Sequence, residues 1–134
     1  MERSLIISCE HAGNYVPEEY ARIFKDQQEI LDSHRGWDSG AWDMAKYLSE
    51  QLSVPVFGCF TTRLLVEANR SLHHPQLFSG FTATLNEDEK SKLLNNIYFP
   101  YRTEVINAIK AVKMPVLHLS VHTFTPVLQG NIRQ

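Results

Sequence analysis

Two histidines near opposite ends of this chain each follow a short apolar run and open a loop: His11 in "IISCEHAGN" and His122 in "LHLSVHTFTP". Neutral imidazole is the commonest protein ligand for metal ions, and a catalytic zinc takes three protein ligands while keeping a fourth position for water. Two histidines delivered by separate strands to one sheet edge can converge on one ion, with Glu10, Asp38 or Asp43 as the nearby acids to complete the set. The plainer alternative is that each ring caps its own loop through hydrogen bonds. His118 precedes His122 by four residues, which on a strand means the same face but about 13 Å away. It reads as a packed or hydrogen-bonded strand residue. His34 reads as a helix-end residue, and His73 and His74 as solvated loop residues.

A second group of interest is "TTRLLVEANRS" (61–71), which holds Arg63, Asn69 and Arg70. A guanidinium is a planar fork that grips a carboxylate through two hydrogen bonds, and a neighbouring Asn adds a third donor. An Arg also stabilises an oxyanion as charge develops on it. Alternatively, these are surface arginines paired with Glu67 or Glu104. Asp38, in "HRGWDSGAWD", stands at a helix start. Its spacing suits an N-cap, with a metal-ligand role as the alternative. Ser8, Ser120 and Thr123 offer hydroxyls, but there is no G-x-S-x-G elbow and no Gly-rich phosphate loop.

These groups need elements to place them. "SLIIS" (4–8), "VPVFGCF" (54–60) and "PVLHLSV" (115–121) are compact apolar runs consistent with buried strands. Segment 63–71 reads as half strand, half loop. A helix is expected from Pro17 to about Ser33. A second follows to about Leu52, with Ala41, Met44, Ala45, Leu48 and Leu52 on one face. Asn86 with Glu89 three residues later resembles a capping box, opening a helix or helix pair that reaches about Val112, with Pro100 as a candidate kink. Strands alternating with helices predict a single α/β domain over 1–134 with a largely parallel sheet. Ligands of such sheets bind beyond the carboxyl ends of the strands, which is where His11, Arg63, Arg70 and His122 fall.

Composition narrows the functional classes. Of 134 residues, 43% are hydrophobic and 21% charged, and the formal net charge is -2, so no bulk field favours nucleic acid or an anionic membrane. No apolar stretch approaches the ~20 residues of a membrane helix. The N-terminus lacks a secretory h-region, so a cytoplasmic location is expected. Cys9 and Cys59 are not in a C-x-x-C pair and read as two reduced, buried thiols.

The pieces "CEHAGNYVP", "WDSGAWDMA", "RLLVEANRS", "YFPYR" and "SVHTFTPVLQG", in this order, resemble the N-formylglutamate amidohydrolase family over essentially the whole chain. That family is related to the zinc carboxypeptidases and the aspartoacylase-like hydrolases. The resemblance implies a three-layer α/β fold of the phosphorylase/hydrolase type, with a mostly parallel mixed sheet flanked by helices. It also implies a metal-dependent hydrolase that cleaves the amide bond of a small N-acyl amino acid such as N-formylglutamate. The implied cofactor is Zn2+ or another divalent ion, since N/O ligands do not select zinc uniquely.

Carried over by position, His11 and His122 resemble the two histidine ligands. The relatives have a Glu three residues after the first His. Here that place is Asn14, a poor zinc ligand, and Asp38 in the "WDxGA" pattern is the candidate for the missing carboxylate. Asn69 and Arg70 resemble the pair that grips the substrate carboxylate, and Arg63 resembles the Arg that polarises the scissile carbonyl. Glu10 is a reserve candidate for the general base. Family members usually continue well beyond the "GNIR" seen here, so the chain is expected to correspond to the N-terminal part of such a domain. The last strand would then present an unpaired edge, which invites association with another copy of the chain. A non-catalytic binding module and a structural fragment needing a partner stay open as other readings.

Overall fold

The structure, a computed structural model, describes residues 3–132. Its centre is a parallel three-stranded sheet of β1 (Ser4–Cys9), β2 (Val56–Gly58) and β3 (Val116–Ser120), in the order β2-β1-β3. The register pairs Ile7 with Val56 and with Leu119, and Ser4 with Val116. As the central strand, β1 is covered on both faces, which is why it reads as an apolar run without polar alternation.

Helices cover the sheet on both faces, as the α/β reading requires. On one face, α2 (Ala41–Leu52) packs Ala41 and Ala45 against Ile7 and Cys9. Small residues let the helix come close. Gly58 of β2 serves the same end, because a Cβ there would lie 2.7 Å from the Trp42 ring. The buried stripe is narrower than expected: Met44 and Leu52 are exposed. On the other face, α4 (Phe99–Ala111) buries Tyr101 and Val105 in a larger core that includes Cys59, Leu64 and Leu65. Before it comes α3 (Glu87–Leu93), where the Asn86 side chain accepts a 2.9 Å hydrogen bond from the Glu89 amide. A π-helical segment, Leu94–Tyr98, joins the two helices. Pro100 follows directly on this segment, inside a helical run that is unbroken from Glu87 to Ala111. Lacking an N–H, it cannot donate to the turn before it, which is where the helix departs from α geometry.

Two local expectations are corrected. The single helix over 17–33 is a 3-10 helix (Glu18–Phe24) and a short α1 (Gln28–Asp32), separated by a turn in which Asp26 takes a positive φ of 58°. The strand half of 63–71 is a series of turns. Leu64, Leu65, Val66 and Ala68 are buried without pairing into the sheet, and an apolar run of that length does not reveal whether its backbone is extended. After β3, the strands β4 (Val127–Leu128) and β5 (Asn131–Ile132) form a tight hairpin. Its two turn residues, Gln129 and Gly130, both have positive φ, 51° and 80°. Arg133 of the "GNIR" piece lies outside the described residues.

Among the described residues, no strand pairs with the outer edge of β3, and Leu117 and Leu119 are 53% and 39% exposed. No described helix is long and apolar enough to cross a membrane. Both cysteines are free thiols and buried.

Candidate metal centre

Backbone hydrogen bonds pull four loops together at the carboxyl end of β1. The Ala12 amide donates to the Cys59 carbonyl at 3.0 Å, the Asp38 amide to the His11 carbonyl at 3.0 Å, and the Val121 amide to the Ser8 carbonyl at 2.8 Å. The Gly36 carbonyl accepts from the Arg63 amide and, at 2.9 Å, from the Thr62 hydroxyl. Gly13 is required here by close approach, since a Cβ would lie 2.8 Å from the Phe60 carbonyl oxygen. The result is that His11, Asp38 and His122, remote in sequence, meet.

The meeting has a definite geometry. Nδ1 of His122 lies 2.9 Å, and Nδ1 of His11 3.2 Å, from the same oxygen, Oδ2 of Asp38. The ring centroids are 5.0 Å apart at 63°. One ligand atom from each of the three residues lies within 4.8 Å of the others, a spacing that could hold a metal ion. Asp38 is not the N-cap its spacing suggested. The cap position of α2 is Gly40, in a left-handed conformation and without a side-chain cap bond. The Asp38 carboxylate is therefore left to the histidines.

The outer nitrogens are engaged as well. Nε2 of His11 bonds to Oε1 of Glu67. Nε2 of His122 lies 2.8 Å from the Ser120 hydroxyl and 3.3 Å from Oε2 of Glu10. The Ser120 hydroxyl donates in turn to that same Glu10 oxygen. Glu10 also accepts from the hydroxyls of Ser8 at 2.6 Å and Tyr101 at 3.0 Å. Ser8 further bonds Nε2 of His118 at 2.8 Å, so His118 is the hydrogen-bonded strand residue expected of it.

Electrostatics follow from these contacts. Burial alone would raise the carboxyls of Glu10 and Asp38, but hydrogen bonds outweigh it. His122, Ser120, Ser8 and Tyr101 hold Glu10 well below the usual carboxylate range, and His11 and His122 do the same for Asp38. Glu67 is also lowered against the pull of burial, by His11 first and then Arg63. The His122 imidazole is pushed up to about 9, first by its hydrogen bond to Asp38 and then by Glu10. His11 is raised too, its bonds to Asp38 and Glu67 overcoming desolvation. Three buried carboxylates, Glu10, Asp38 and Glu67, thus surround the two imidazoles and favour positive charge on them.

The cleft above these residues, about 310 Å3, is also lined by Arg63, Asn69 and Arg70. Arg63 is tied to Glu67, at 2.9 Å through Nε and 2.7 Å through a terminal nitrogen, and lies 3.6 Å from Oδ1 of Asp38. The side chain of Arg70 has no carboxylate partner among the described residues. Glu10 does not line this cleft itself. With Tyr101, His118 and Ser120 it lines an adjoining one of about 500 Å3, which shares Asn69 and Arg70 with the first. Asn14 is turned away, donating to the Leu31 carbonyl and to Asp32, both at 3.0 Å. Glu67 is the residue whose contact with His11 the sequence reading missed. The available signal was its position inside a buried apolar run, where a charge must find a partner.

Fold and site together define a class: an α/β protein with a His-Asp-His group, able to hold a metal, at the carboxyl edge of its parallel sheet. The family model of N-formylglutamate amidohydrolase matches residues 3–133, and the chain belongs to that family. It is also similar to the crystal structure of a gene product from Agrobacterium tumefaciens, with a TM-score of 0.85 and 26% identity. That similarity covers 98% of this chain and 56% of the other, so this chain spans little more than half of that structure's length. A comparison with curated proteins gives no match.

Proposed function

We propose that this chain carries the metal centre and substrate clamp of a metal-dependent amidohydrolase that cleaves small N-acyl amino acids, N-formylglutamate first among them. One observation carries the reading. The outer nitrogens of both histidines are already hydrogen-bonded, and their inner nitrogens face one carboxylate oxygen beside a cleft lined by arginines. In the neutral tautomers that suit the outer contacts, both inner nitrogens carry lone pairs. His11, Asp38 and His122 would then hold a divalent ion such as zinc, with two nitrogens and one oxygen, as in open catalytic sites.

When bound, such an ion acidifies a water and polarises the substrate carbonyl. The remaining work falls to the chain's own groups. Arg70 and Asn69 receive the carboxylate of the amino acid, because the Arg70 guanidinium has no carboxylate partner among the described residues to neutralise it. Arg63 is fixed by Glu67 at the cleft wall. It faces the acyl carbonyl and offsets negative charge developing on its oxygen. The family assignment supports the amidohydrolase chemistry and the substrate class.

The test is metal content of the purified chain beside His122→Ala, with hydrolysis of N-formyl-L-glutamate followed by formate release. About one divalent ion per chain, lost in the variant along with formate release, is the expected result. A chain that binds no zinc even when it is supplied overturns the metal centre. A loaded chain that releases no formate overturns the hydrolytic part of the reading.

A further inference from the structure

Each candidate ligand ring is held from behind by a carboxylate that is itself held by several donors, and the two supports are built alike. Glu67 takes Nε2 of His11 on Oε1, the same oxygen that accepts the Asn69 amide at 3.1 Å, while Oε2 is locked by Arg63. Glu10 reaches Nε2 of His122 directly and through the Ser120 hydroxyl, and it is fixed by Ser8 and Tyr101. Both carboxylates are buried. Ionised carboxylates only accept hydrogen bonds, so each favours a proton on the nitrogen facing it.

We infer that Glu67 and Glu10 are positioning residues of the metal centre: they hold the Nε2–H groups of His11 and His122, so that both rings present Nδ1 to one cation beside Asp38. This rests on the metal-centre reading above. The two ring nitrogens of imidazole point apart. A carboxylate that accepts from Nε2 therefore cannot also ligate an ion bound at Nδ1 of the same ring. Glu10 and Glu67 are accordingly excluded as ligands, and Glu10, occupied by four donors, is withdrawn as a candidate general base. The arrangement also crosses neighbours in sequence: Glu10 serves His122, while the adjacent His11 is served by Glu67. Outer partners of this kind orient the ring, fix its tautomer and make the ligand nitrogen more basic, and losing one typically weakens metal affinity about 10–100-fold.

The experiment uses the full 134-residue chain with zinc as the probe. Nitrogen-15 NMR of the zinc-loaded wild type reads which nitrogen of His11 and His122 carries the proton, and chelator competition reads affinity. Glu67→Ala and Glu10→Ala are measured beside Glu67→Gln and Glu10→Gln, which keep volume and an acceptor oxygen. The expected result is Nδ1 coordination with protonated Nε2 on both rings. Zinc affinity should fall about 10–100-fold in each Ala variant and recover in part in the Gln variants. Wild-type zinc bound through Nε2 of either ring overturns the inference and leaves the metal centre standing, as does undiminished affinity in folded variants. Absence of zinc binding by the wild type overturns the metal centre itself, and the inference with it. Should the variants fail to fold, the wild-type spectrum alone still decides between Nδ1 and Nε2.

Discussion

Nδ1 of His122 and Oδ2 of Asp38 lie 2.9 Å apart although 84 residues separate them in the chain. The contact exists because β3 runs parallel to β1 and ends beside it, and because the Thr123 hydroxyl ties the following loop to the Ser39 carbonyl at 2.8 Å. One carboxylate oxygen thus serves two imidazoles.

That sharing makes Asp38→Asn the sharpest single change at the centre. The amide keeps the shape but loses the charge. The first expected outcome, in the metal-free protein, is a lower titration point for His122, below its present value of about 9, because the largest cause of that elevation is the bond to Asp38. The second is a loss of zinc affinity of roughly 100-fold or more, beyond the range of outer-partner changes. Histidine proton shifts against pH and a zinc titration check the two outcomes separately.

The loop that delivers Asp38 depends on a glycine. A Cβ on Gly36 would lie 2.1 Å from the Leu31 carbonyl oxygen, which is backbone and cannot swing aside. Gly40, by contrast, has open space around it and only a φ of 80° to object to a side chain. Gly36→Ala is expected to destabilise by about 2–4 kcal/mol and Gly40→Ala by about 1–2 kcal/mol. Urea unfolding at matched pH checks the order. Equal losses would mean that the Leu31 turn yields easily.

The two buried thiols give a pH-dependent prediction of their own. Burial pushes Cys59 up from 9.0 to about 11 and Cys9 from 9.0 to about 12. At pH 8 both should react slowly with a disulfide reagent in the folded chain and at once in urea, because the thiolate is the reacting form. The stability effect has a definite sign. Between about pH 9 and 11 the unfolded chain has lost thiol protons that the folded chain retains, so stability is fully present below pH 9 and falls as pH rises through this window. Tyr101, also raised by burial and by Glu10, adds to the same trend. Rapid labelling of folded protein at pH 8 would contradict the buried placement.

What the sequence disclosed depended on how local the cause was. β1, β3, α2 and the Asn86 cap follow from patterns confined to a few neighbours: an apolar run, a helical stripe, an Asn three residues ahead of a Glu. The His-Asp-His meeting was approachable because strand order in a parallel sheet sends loop residues to a common edge. At Glu67 the sequence suggests only a partner, beside Glu104, for the surface arginines of its segment. Its bond to His11 depends on turns at 62–70 that bury Leu64 and Val66 without pairing them, and no periodicity encodes such a path. The break at Asp26 was hidden for a related reason. The spacing of Tyr20, Phe24 and Leu31 suits a helix, and the turn that interrupts it leaves the three side chains in one core.

The two arginines of the cleft should separate kinetically. Arg63 is committed to Glu67 and stands near Asp38, whereas the Arg70 side chain has no carboxylate partner among the described residues. If Arg70 holds the substrate carboxylate, Arg70→Ala should raise KM for N-formyl-L-glutamate about 10–100-fold, the loss expected for a charge-assisted hydrogen bond of ~1.5–3 kcal/mol. It should have little effect on the analogue whose α-carboxylate is an amide. Arg63→Ala should instead lower kcat about 100–1000-fold on both substrates. It should also loosen His11, because Glu67 loses its counter-ion. Measuring kcat and KM for the two variants on the two substrates decides the assignment: an Arg70→Ala penalty of equal size on acid and amide would remove Arg70 from the carboxylate site, and an Arg63→Ala effect confined to KM would remove Arg63 from the developing oxyanion.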